Sequence, residues 1–65
     1  MIIRPGKLYK IILSDSTPDL LGNCNNSLSK GSYYGLFIFK IDQSYRFLIN
    51  KNYYIIFSWE IVEEL

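Results

Sequence analysis

Histidine and alanine are absent from these 65 residues, and cysteine occurs once, at Cys24. Each absence closes a route. Without histidine the chain lacks the commonest general base, and without a second cysteine it can build neither an intramolecular disulfide nor the usual zinc ligand sets. Its oxygen-bearing side chains fall at none of the spacings a calcium loop requires. Charge is scarce too: seven basic against six acidic side chains leave a formal +1, too little for a strong phosphate-neutralising field unless the charges segregate. No apolar run approaches the roughly 18 to 20 residues of a membrane span, and Met1-Ile2-Ile3-Arg4-Pro5-Gly6 lacks the apolar stretch of a signal peptide. The chain is therefore expected to be cytoplasmic, with no cofactor, metal or membrane partner, and a lone thiol suits a reducing compartment.

What is present is aromatic. Six Tyr, four Phe and one Trp make up 17% of the chain, within a hydrophobic share of 49%. A chain of this length buries only about 60% of the surface it exposes when unfolded, and ordering it costs roughly 1.5 kcal/mol per residue. Small secreted domains add disulfides at this point; here the large aromatic areas substitute, with partner contact or self-association adding what the core lacks. Residues 1–65 read as one domain, with no internal repeat and no linker between two hydrophobic regions. Abundant Ile, Asn, Lys, Tyr and Phe without Ala is the bias of AT-rich codons, as in a low-GC bacterium or its mobile elements.

Pro5-Gly6 marks a turn, and the alternation from Lys7 to Leu13 predicts a first strand with Tyr9, Ile11 and Leu13 facing the core. Residues 14–32 are rich in Ser, Asp and Asn, which bond their own backbone, and so predict a long polar loop with a helical turn or poor strand near Leu20-Leu21. From Tyr33 onward the pattern is strand after strand: Tyr33 to Ile41, Tyr45 to Asn50 with Tyr45, Phe47 and Ile49 inward, and Tyr53 to Ser58. Turns at Asp42-Gln43-Ser44 and Lys51-Asn52 make these an antiparallel meander. A helical turn near Trp59 and a short closing strand complete an all-β, five-stranded chain; the alternative ending is a short helix across the sheet.

Arg4-Pro5-Gly6-Lys7 with Tyr9 and Ile11, then Gly35 to Asp42, Tyr54 to Phe57 and Glu60 to Leu65, cover about half of the chain. In these pieces it resembles the SH3-like small barrels of bacteria and phages, with a pattern similar to the KOW family. The resemblance implies an antiparallel five-stranded barrel with a long loop after the first strand. It does not extend to the Ala-Leu-Tyr-Asp-Tyr element or the paired tryptophans of eukaryotic signalling SH3 domains. Of the Gly-rich basic loop through which KOW-type domains meet RNA, only Lys30-Gly31 has a counterpart.

Three function classes follow. Catalysis is not expected: Cys24 has no nearby cation to lower its pKa, and it reads as an unreactive loop thiol. The carboxylate pairs Asp15 with Asp19, and Glu60 with Glu63 and Glu64, read as turn residues and a solvated face rather than an acid and its base. Nucleic-acid binding would stack bases on Tyr33, Tyr34, Tyr45, Tyr53 and Tyr54, beside the basic residues that all precede Asn52. Protein binding fits best. Leu36-Phe37-Ile38-Phe39 and Tyr54-Ile55-Ile56-Phe57 are apolar on both sides, more than a one-faced sheet requires. Either the long loop covers the second face or that face meets another chain, with Tyr34, Tyr54, Ile56 and Trp59 as the expected contacts. The expected function is thus a non-catalytic module that binds another protein. By analogy of size and fold, its specific form is a phage or mobile-element accessory protein modulating a host complex. RNA or single-stranded DNA is the alternative partner, and a structural subunit or a homodimer follows after it.

Overall fold

A computed structural model describes residues 2–65, the side chain of Cys24 excepted, so the reading of that thiol lies outside the described residues. Five strands form where the β-branched and aromatic runs lie: β1 (Leu8–Leu13), β2 (Gly31–Ile41), β3 (Ser44–Ile49), β4 (Asn52–Phe57) and β5 (Ile61–Glu64). They make one antiparallel sheet in the order β4-β3-β2-β1-β5. The expected helical turn at Trp59 is a single 3-10 turn, Ser58–Glu60. A second, Cys24–Asn26, lies in the long loop a few residues beyond the expected Leu20-Leu21.

The barrel is loose rather than closed. β4 and β5 are the two edges of the sheet, and no ladder joins them among the described residues. The outer edge of β4 bonds instead to neighbours: the Leu20 N–H donates to the Tyr53 carbonyl at 2.8 Å, and the Phe57 N–H donates to Glu60 Oε1 at 2.9 Å. These contacts occupy groups that a fifth-strand pairing would need.

All five strands and the loop contribute to one core: Tyr9, Ile11, Leu13, Leu28, Phe37, Phe47, Ile49, Tyr54, Ile56 and Ile61. The expected inward set on β1 and β3 is there, with Tyr45 half-buried against the core. Edge-to-face contact of Tyr9 with Phe47, at 6.1 Å and 84°, and of Phe37 with Tyr45, at 5.4 Å and 61°, ties β1, β2 and β3 together. β2 is long enough to serve two neighbours. Its first half pairs with β1 and its second with β3, and Gly35 lies inward near the change of partner, opposite Tyr9. A Cβ there would stand 2.8 Å from Ile49 Cγ1 and 2.9 Å from Phe47 Cδ1, so only glycine lets the core close beneath β2.

Tyrosine hydroxyls fasten the periphery where disulfides are missing. Tyr54 donates to the Asn26 carbonyl, Tyr33 to the Ser29 carbonyl at 2.7 Å, and Tyr9 to Glu64 Oε1 at 3.1 Å while accepting the Arg4 N–H at 2.7 Å. The long loop is organised by a Thr17–Leu28 bridge and by Asp19, whose carboxylate accepts the Asn23 N–H at 2.7 Å and the Asn26 amide at 2.9 Å. Leu28 then enters the core.

Candidate protein-interaction face

Two local events decide which side chains face out. The Asn50-Lys51 turn has both central residues at positive φ, 49° and 71°, the signature of a type I′ hairpin, and it sets Phe47 opposite Tyr54 and Tyr45 opposite Ile56. The β-bulge between Phe37 and Phe39 inserts one residue into β2. Two residues apart, Phe37 and Phe39 would otherwise share a face; instead Phe37 is buried against Phe47 and Phe39 turns outward opposite Arg46.

The outward side of the meander is then a grid of three rows. Leu36, Leu48 and Tyr53 form one row, Phe39, Arg46 and Ile55 the next, and Ile41, Ser44 and Phe57 the third. Every position except Ser44 and Arg46 is apolar or aromatic. Phe39, Ile41, Tyr53 and Phe57 are exposed and the others half-buried. At the end of the third row the Trp59 ring stacks on Phe57, 4.9 Å between centroids and 4° between planes. Through Leu28 and the Asn26 carbonyl the long loop closes over the inner side, and it reaches the β4 edge where the Leu20 N–H meets the Tyr53 carbonyl, leaving Phe39, Ile41, Tyr53 and Phe57 exposed.

The expected contact residues separate into two pairs. Tyr34 (61% exposed) and Trp59 (76%) are outward, but Tyr34 lies on the half of β2 that pairs with β1, across from Lys10, and Trp59 lies beyond the far end of the meander. Tyr54 (1%) and Ile56 (0%) are in the core, which corrects their assignment as contact residues. With both sides of this strand apolar, alternation carries no contrast, and the hairpin register chooses Tyr53, Ile55 and Phe57 as the outward set. Phe39 and Arg46 carried no signal of their own, because the bulge that re-aims Phe39 is a property of the pairing.

Three of the carboxylates, Asp19, Glu60 and Glu64, are committed to structure. Hydrogen bonds from the Asn26 amide and the Asn23 N–H hold the Asp19 carboxyl below its ordinary value, and the Tyr9 hydroxyl with the Arg4 guanidinium does the same for Glu64. The Arg4–Glu64 pair spans 3.3 Å at the surface. Glu60 caps the Phe57 N–H, the backward half of a capping box. Burial pushes the Tyr54 hydroxyl up. A shallow cleft of about 190 Å³ lies between the loop and the β3–β4 turn, lined by Asp19, Leu20, Leu21, Lys51, Asn52 and Tyr53. No described helix is long and apolar enough to cross a membrane.

Comparison with protein-family models, curated proteins and solved structures finds no match to this chain.

Proposed function

We propose that this protein is a binding module that recognises another protein through the outward face of β2, β3 and β4. The carrying observation is the grid itself: a sheet face apolar in all but two positions, with an exposed Trp59 stacked at its end. Surfaces of this kind are unfavourable in water and gain most from being covered, and aromatic side chains at their centre are the usual anchors. The strand order, the long first loop and the 3-10 turn before β5 support an SH3-like reading of the fold, and a fold of this kind does not by itself specify what is bound.

The test compares variants by capture of partners from source-cell lysate. Tyr53→Glu and Phe39→Glu are expected to keep the wild-type circular dichroism spectrum and lose the captured proteins. Ile56→Glu, which buries a charge in the core, is expected to unfold. Undiminished capture by both folded variants would remove this face from consideration.

A further inference from the structure

We infer that the partner presents a single carboxylate, from an aspartate or glutamate flanked by apolar side chains, to Arg46 at the middle of the grid. The inference rests on the protein-binding reading above and adds the chemistry of the partner.

Arg46 is half-buried, with Phe39 and Ile55 beside it on the neighbouring strands and Ser44 and Leu48 two residues away on its own. One of its five guanidinium donors is used: Nη1 donates to Ser44 Oγ at 2.9 Å. Among the described residues it has no ion-pair partner, the one salt bridge being Arg4–Glu64. The carboxylates that do take hydrogen bonds take them elsewhere: Glu64 from Tyr9 and Arg4, Glu60 from the Phe57 N–H, Asp19 from Asn23 and Asn26.

An apolar partner seated on this face removes water from the guanidinium. A charge covered in that way without a counter-charge is strongly unfavourable, so a partner that fits must bring an acceptor to the centre of its own apolar patch. A carboxylate matches the planar donor fork two bonds at a time, and the surrounding apolar ring excludes water from the pair. Phosphate fits the surroundings less well. Nucleic acid needs a track of cations along its backbone, whereas Arg46 is the only cation of the grid.

The experiment is selection from a random peptide library on the intact protein, with Tyr53→Glu identifying peptides that use this face. Wild type should enrich peptides with Asp or Glu between apolar residues. The best of these, as a soluble peptide, should bind Arg46→Glu at least about 30-fold more weakly. Changing its acidic residue to Lys should restore binding to Arg46→Glu and abolish binding to wild type, a reciprocal switch that a purely structural role for Arg46 would not produce. Arg46→Gln serves in the same comparison should the glutamate variant fail to fold. Face-dependent peptides without an acidic preference overturn the carboxylate and leave the protein-binding reading standing, while the absence of any face-dependent peptide overturns both. Arg46-dependent binding of oligothymidylate would assign the guanidinium to phosphate. A dimer in light scattering that is lost in Tyr53→Glu would assign the face to a second copy; either result overturns the inference.

Discussion

The Tyr54 hydroxyl donates to the main-chain carbonyl of Asn26, joining the buried side of β4 to a loop 28 residues earlier in the chain. The same ring fills the core and the same oxygen holds the loop over its open side. Tyr54→Phe removes only the second role. The expected loss is about 1 kcal/mol in urea denaturation, the net worth of a hydrogen bond. Amide exchange at Asn23 and Leu28 should quicken more than exchange in β3, which lies away from the loop. Equal acceleration everywhere would mean that the bond contributes no local fastening.

Gly35 is the tightest point in the core. Gly35→Ala introduces a Cβ within 3.0 Å of Ile49, Phe47 and Ile11, all three of them side chains that are themselves fully enclosed. Overpacking of this kind costs about 1–3 kcal/mol. A urea midpoint within experimental scatter of wild type would show that the strand shifts freely to make room.

Acid should weaken the fold through two known carboxylates. Asp19 and Glu64 are held below their ordinary values of 3.8 and 4.5 by bonds that exist only in the folded chain. Their folded forms bind protons less readily than the unfolded chain does, so their contribution is complete above 4.5 and is lost as pH falls through the lower folded values. Tyr54 works in the opposite sense. Its hydroxyl is raised above 10.0 by burial, so its contribution holds below 10.0 and is lost as pH rises through the higher folded value. Denaturation measured across pH should show both limbs, with Glu64→Gln flattening the acid limb and Tyr54→Phe the alkaline one. An acid limb unchanged in both Glu64→Gln and Asp19→Asn would assign it to other groups.

Much of the architecture was legible along the chain. Alternation of apolar and polar residues between Lys7 and Leu13, and between Tyr45 and Asn50, identified Tyr9, Ile11, Leu13, Phe47 and Ile49 as inward, because one side of each strand carries a polar residue that marks it. Polar turn residues between β-branched runs likewise marked five strands and the break at Trp59.

The candidate face was not legible, for a physical reason that two places make plain. Tyr53 to Phe57 is apolar on both sides, so its phase depended on the turn before it; a turn at Lys51-Asn52 rather than the observed Asn50-Lys51 removes the register that buries Tyr54 and Ile56. At β2 the bulge between Phe37 and Phe39 breaks the two-residue period altogether, turning Phe39 out beside Arg46. Composition and local propensity determined that this chain folds as a small aromatic sheet with apolar surface to spare. Which residues form that surface was decided by strand pairing, since a single-residue change of register moves every side chain of a strand to the other face.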